Sequence, residues 1–123
     1  MADNTSTVQF KADISQLKSA MQAAQRQVRL ASSEFKAATA GLDDWSKSAT
    51  GLQAKLKQLD TTLSAQKKQV ELANEEYEKT VKLYGENSAE ADRAKMKLNG
   101  YEAAVANTEK EKVIRRPAGD NWF

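Results

Sequence analysis

The chain has 123 residues, contains neither histidine nor cysteine, and carries a formal net charge of +2 from 19 basic and 17 acidic residues. Without these two side chains it lacks the commonest general base, thiolate nucleophiles, disulfides and the usual zinc ligands, so we expect no enzyme, no cofactor and no metal site. The near-neutral charge does not mark a nucleic-acid binder, and a polar start without a long apolar run predicts a chain made in the cytoplasm with no membrane segment.

Residues 1–13 are predicted to form an extended lead. Val8, Phe10 and Ala12 alternate with polar residues, which is a weak strand signal. The stretch has no obvious partner strand, so the sequence favours a frayed extended segment over a paired strand.

A first helix is predicted over about residues 14–40. Its apolar residues recur at gaps of three and four, which is the spacing of one helix face. Asp13 or Ser15 would cap its start, and Gly41 would end it by taking a positive φ.

The connection over residues 41–51 contains Leu42 and Trp45, so we expect it to be packed and partly helical rather than free.

A second helix is predicted over about residues 52–84, again with an apolar stripe at helical spacing.

A tight break separates the second helix from the third. Gly85 would end one helix, and Asn87 or Ser88 would cap the next. The third helix is predicted over about residues 89–112, and residues 113–123, which include the only proline, form an irregular tail.

All three helices share one seven-residue repeat. A period of 3.5 residues predicts a left-handed coiled coil, so the expected fold is all-α: an elongated antiparallel coiled coil or three-helix bundle behind a short extended N-terminal lead. A first helix that pairs with another copy of the chain is the alternative. The predicted assembly seam consists of Ile14, Leu17, Met21, Val28, Phe35, Leu56, Leu59, Leu63, Val70, Tyr77, Leu98, Tyr101 and Val105.

Polar and charged residues would set the register of this seam. Gln66 and Thr80 interrupt the apolar stripe, and polar seam residues often fix register at a cost in stability. An antiparallel pairing of the second and third helices brings three pairs of charged residues together: Glu76 with Lys97, Lys67 with Glu102 and, unfavourably, Asp60 with Glu109.

Basic residues outnumber acidic ones on the first helix. Asp13 and Glu34 are its acidic residues, and its basic residues are Lys11, Lys18, Arg26, Arg29 and Lys36. These five occupy three heptad positions rather than one, which favours an ordinary solvated face. Contact with DNA phosphates is the alternative, with Lys18, Arg26, Arg29 and Lys36 as the candidate residues.

Two stretches carry a resemblance to a known family. They are VQFKADISQLKSAMQAAQRQVRLASSEFKAATAGLDDW and LYGENSAEADRAKMKLNGYEAAVANTEKE. From Val8 through Lys112 the chain resembles the N-terminal region of tape measure proteins from long-tailed phages and prophages of Gram-positive bacteria. The chain is far shorter than such proteins, which leaves a fragment, a degenerate prophage copy or a short protein with the same fold.

The resemblance implies a structural protein of the phage tail that acts by helix–helix assembly in tail length determination. Its partners would be itself, as a homo-oligomer, and other tail proteins. Its location would be the virion tail, and the host bacterial cytoplasm during assembly.

Two alternatives come from other classes of function. One is a small phage or prophage protein that binds and inhibits a host or phage protein through its helical faces, as the short length and the terminal Trp122 and Phe123 suggest. The other is a nucleic-acid-binding helical module, suggested by the basic first helix.

Overall fold

The computed structural model describes residues 4–114, and its regular elements within them are helices, with no strand. Three are long: α1 (Asn4–Thr39), α2 (Ala49–Tyr84) and α3 (Ala89–Ile114). A short 3-10 helix (Trp45–Lys47) lies between α1 and α2. The predicted all-α class is confirmed.

The predicted extended lead is wrong for residues 4–13, because α1 already begins at Asn4. Phe10 continues the seven-residue repeat one turn before Ile14, and its ring meets that of Tyr84 edge-on with centroids 5.6 Å apart. This contact with α2 favours the helix, whereas a strand would have needed a partner strand. Asp13 therefore lies inside the helix instead of capping it. Residues 1–3 lie outside the described part of the chain.

Hydroxyl side chains cap the starts of α2 and α3. Ser48 Oγ accepts from the Gly51 backbone N–H at 3.0 Å, so α2 begins slightly before the predicted position. Gly85 ends α2 with φ of 96°, as its place in the sequence predicts. Ser88 Oγ accepts from the Ala91 N–H at 3.1 Å, which makes Ser88 the cap of α3.

The connection between α1 and α2 is partly helical, as predicted, but of its two apolar residues Trp45 packs and Leu42 is exposed. Asp44 accepts hydrogen bonds from both the backbone N–H and the hydroxyl of Ser46, and Trp45 is half-buried. The role predicted for Gly41 is wrong, because it does not adopt a positive φ. Instead, α1 ends at Thr39, whose carbonyl accepts from the Leu42 N–H.

The predicted start of the tail is also displaced, because residues 113 and 114 continue α3. Helix α3 carries Lys112 in its last turn, where a cation interacts favourably with the carbonyl end of the helix dipole. Residues 115–123, including the terminal aromatic residues, lie outside the described part of the chain.

Helix α2 is central, because it contacts both α1 and α3 along much of its length. Within residues 4–114, α1 and α3 make almost no direct contact with each other. Among the described residues, the buried apolar core contains only leucine and alanine: Leu17, Ala24, Ala31, Leu59, Leu63, Ala65, Leu72, Ala73, Ala91, Ala94 and Leu98. The alanines let the helices approach closely, but each buries little apolar surface.

Candidate functional site

The residues of the predicted assembly seam are all at least half-buried. Leu17, Leu59, Leu63 and Leu98 are buried. The other nine are half-buried: Ile14, Met21, Val28, Phe35, Leu56, Val70, Tyr77, Tyr101 and Val105. The folded chain therefore covers four of the five seam leucines and leaves much of the remaining apolar surface partly open to solvent.

Polar and charged contacts connect α1 to α2 at intervals. The contacts are Asp13 to Lys79 at 3.3 Å, Gln25 to Gln69 at 3.1 Å, and the ring of Phe35 to the Lys55 ammonium at 4.8 Å. Residue numbers rise along α1 as they fall along α2.

Three contacts connect α2 to α3 in the same way. They are Glu76 to Lys97 at 3.1 Å, Gln66 to Thr108 at 2.5 Å, and Asp60 to Lys112 at 2.5 Å. The predicted pair of Glu76 with Lys97 is confirmed. The predicted repulsion at Asp60 is wrong, because that carboxylate meets Lys112 instead of Glu109. Lys67 and Glu102 line the same shallow depression.

Buried polar residues lie between the helices. Gln69, Thr80 and Thr108 are 3, 4 and 7 % exposed. The Thr80 hydroxyl donates to the Glu76 carbonyl of its own helix, whereas the Thr108 hydroxyl donates to Gln66 across the interface. The seven-residue repeat indicated Gln66 and Thr80 but missed Gln69, which lies on a second stripe of α2 with Ala65 and Leu72.

Replacing either partner of the Gln25–Gln69 hydrogen bond should have opposite effects on stability. Gln69→Leu removes a buried amide and should raise the free energy of unfolding by about 1 kcal/mol. Gln25→Ala leaves the buried amide of Gln69 without its partner and should lower it by about 1–3 kcal/mol. Urea titrations followed by circular dichroism measure both values, and equal losses in the two variants would contradict the prediction.

An aromatic cluster joins the helices at one end of the molecule. The rings of Phe35 and Trp45 meet edge-on at 5.2 Å between centroids. The Lys55 ammonium lies 4.8 Å from the first ring and 5.6 Å from the second, and 3.8 Å from a carboxylate oxygen of Glu111. We call Phe35, Trp45, Lys55 and Glu111 the end cluster. It links α1, the 3-10 helix, α2 and α3.

A cleft of about 630 Å³ lies at the opposite end, between the start of α1 and the end of α2. Asp13 is its carboxylate, and the Gln9 amide donates to it at 2.9 Å. The hydrogen bond from Gln9 is the largest cause that lowers the pKa of Asp13. Desolvation raises this pKa by a smaller amount, and the hydrogen bond and charge of Lys79 lower it further. Lys82 and Leu83 also line the cleft, whose carboxylate is thus satisfied within the chain.

The lowered pKa of Asp13 predicts an acid-dependent contribution to stability. Its ordinary pKa is 3.8, and the folded value lies below this, so the contribution is present at neutral pH and is lost as the pH falls through the folded pKa. Between neutral pH and about pH 3, Asp13→Asn should therefore lose less stability than the original chain. The control is Glu75→Gln, at an exposed site on α2. Parallel losses in the original chain and Asp13→Asn would contradict the prediction.

The candidate phosphate contacts are all exposed on α1 and lie away from the seam. They are Lys18, Arg26, Arg29 and Lys36. Neither these four nor Lys11 form an ion pair with any residue between 4 and 114.

Comparisons with known proteins leave the chain without a family. No protein-family model matches it, and no curated protein and no solved structure matches it either. No helix within residues 4–114 is long and apolar enough to cross a membrane. A functional proposal therefore rests on the chain's own residues and contacts and on the resemblance of the two quoted stretches.

Proposed function

We propose that this chain is a structural, tape-measure-like protein of a phage tail, which acts by helix–helix assembly in tail length determination and tail assembly. The observation that carries the proposal is the half-buried state of nine seam residues. Apolar side chains of a seven-residue repeat gain stability when they are covered, by about 25 cal/mol per Å² of apolar surface. A second copy or another helical tail protein would cover them.

We also propose that the three helices form an antiparallel coiled coil. The order of the contacts supports this arrangement, since Asp13 meets Lys79 near one end of α1 and Phe35 meets Lys55 near the other. The contacts of Glu76 and Gln66 with α3 follow the same descending order. The short connections between consecutive helices also favour antiparallel neighbours.

The shape of the elements agrees with a rod-like structural part. Helices α1 and α2 have 36 residues each, which gives each a length of about 54 Å. A chain whose length sets a distance needs stiff elements, and long helices joined side by side supply them. The resemblance of the two quoted stretches to tape measure proteins supplies the biological setting.

Multi-angle light scattering over a range of concentrations tests the assembly step. We expect oligomers whose population rises with concentration, and we expect Met21→Gln, in the half-open seam, to weaken them. Leu30→Gln is the control, since Leu30 is 60 % exposed on the same helix and lies outside the seam. Circular dichroism verifies that both variants remain helical. A monomer at every concentration would contradict the proposal.

Mass spectrometry of purified phage particles tests whether the chain is part of the phage tail. Peptides of this chain should co-purify with intact tails through a density gradient. If the chain is absent from the particles and is instead recovered as a monomer bound to one host protein, the inhibitor alternative would replace the tail protein.

A further inference from the structure

We propose that the outer face of α1 is a binding surface for the phosphate backbone of duplex DNA. This inference goes beyond the proposed assembly role and uses a different face of the chain. Five cations lie on that face: Lys11, Lys18, Arg26, Arg29 and Lys36.

Four of the five cations are aligned along the helix. At 3.6 residues per turn, Lys11, Lys18, Arg29 and Lys36 fall within about 20° of one another, and Arg26 lies about 60–80° from them. Their heptad positions differ: Lys11 and Lys18 are at e, beside the seam, whereas Arg29 and Lys36 at b and Arg26 at f face outward. All five cations therefore lie on one side of α1, although they occupy three heptad positions.

No acidic residue interrupts this face between residues 8 and 36. The two acids of α1 lie on the side toward α2, where Asp13 pairs with Lys79 and Glu34 lines a groove with Lys57. The other residues on the outer face are serine, glutamine, alanine and one valine. Both acids therefore lie off the basic face, although Glu34 is exposed, and the face itself carries uncompensated positive charge.

The dimensions of the face fit a DNA duplex. Lys11 and Lys36 are separated by about 38 Å along α1, close to the length of one turn of B-DNA, which is about 34–36 Å. Serine and glutamine side chains also donate to phosphate oxygens. Arg26 and Arg29 are three residues apart, and their planar guanidinium groups match the geometry of phosphate.

Other polyanionic partners fit less well. A membrane-surface helix needs an apolar face beside its cations, and Val8 and Leu30 are too few and too far apart along α1 to form one. Binding of single strands relies on stacking of bases on aromatic side chains, and this face has none. A duplex, read through its backbone alone, needs only the aligned cations.

Fluorescence anisotropy with a mixed-sequence duplex of about 30 base pairs tests the proposal at about 50 and about 200 mM salt. Five phosphate contacts would give a slope of log K against log salt of about −4.5, or a loss of roughly 500-fold over this range. The test variant combines Lys18→Gln, Arg26→Gln, Arg29→Gln and Lys36→Gln. We expect it to bind at least about tenfold more weakly at the lower salt, with a slope near −1.

A matched control separates the face from net charge. It combines four substitutions at exposed sites on α2 and α3, namely Lys67→Gln, Lys82→Gln, Arg93→Gln and Lys110→Gln. Both variants change the formal net charge from +2 to −2, because each loses four cations. The control should keep the slope of the original chain, and circular dichroism should show equal helix content in all three proteins.

Several results would overturn the proposal. They are an original chain that does not bind the duplex, equal losses in the two variants, or tighter binding of a single strand of the same length. Light scattering on the same samples gives a further result that would overturn the proposal. If the test variant alone becomes monomeric, the face contacts a second copy rather than DNA. Failure of DNA binding with oligomers intact would leave the assembly proposal standing.

Discussion

Replacement of Gly51 by alanine is expected to lower the free energy of unfolding by about 1–3 kcal/mol. Gly51 lies in the first turn of α2, where the 3-10 helix crosses it. An added Cβ would strike the carbonyl oxygen of Trp45 and come within 2.7 Å of its Cα. These are backbone atoms, so no flexible side chain can move aside. The start of α2 and the 3-10 helix must separate, which would also disturb the end cluster.

Gly100→Ala is the matched control for this substitution. Gly100 lies in the middle of α3, and an added Cβ there meets nothing within 4 Å. Alanine should therefore raise the free energy of unfolding by about 0.5–1 kcal/mol through its greater helix propensity. Urea unfolding followed by circular dichroism measures both variants, and a stabilising Gly51→Ala would show that the close approach at Trp45 does not exist.

The seven-residue repeat predicted most of the fold because it reports burial directly. Leu17, Leu59, Leu63 and Leu98 were assigned to the seam from spacing alone and are buried. Helix ends were predictable where a side chain or a glycine fixes them locally, as at Gly85. Such signals depend on a few neighbouring residues, so these helix ends can be predicted from the sequence.

The start of the chain was misjudged because short patterns are ambiguous. Alternation of Val8 and Phe10 suits a strand, but Phe10 also falls on the helical repeat. Contact with Tyr84 decides between them, and that residue is distant in sequence. Val8 remains 66 % exposed, which an apolar strand face would not predict.

The second stripe of α2 was missed because a central helix must satisfy two neighbours. Ala65, Gln69 and Leu72 are buried but lie outside the positions of the single repeat. The end cluster could not be predicted from the sequence either, because it depends on the path by which the connection brings Trp45 over Phe35 and Lys55. The sequence shows the excess of basic residues in this segment, but their alignment on one face depends on residues 8–36 being helical.

The second large effect is expected at Leu98, in the core of α3. Leu98→Ala should lower the free energy of unfolding by about 2–5 kcal/mol, the range for a leucine removed from a packed interior. Leu98 is 4 % exposed, and α3 otherwise buries mainly alanines and Thr108. Few other side chains can compensate for its loss, so α3 should detach from α2 at lower urea concentrations than α1 does.

Met96→Ala is the control on the same helix, because Met96 is 70 % exposed. Its free energy of unfolding should stay within about 0.5 kcal/mol of the original chain. Hydrogen exchange measured by mass spectrometry would locate the effect of Leu98→Ala, with faster exchange in α3 than in α1. If the two substitutions had similar effects, Leu98 would not hold α3 against α2, and the face of α3 that contacts α2 would need to be reassigned.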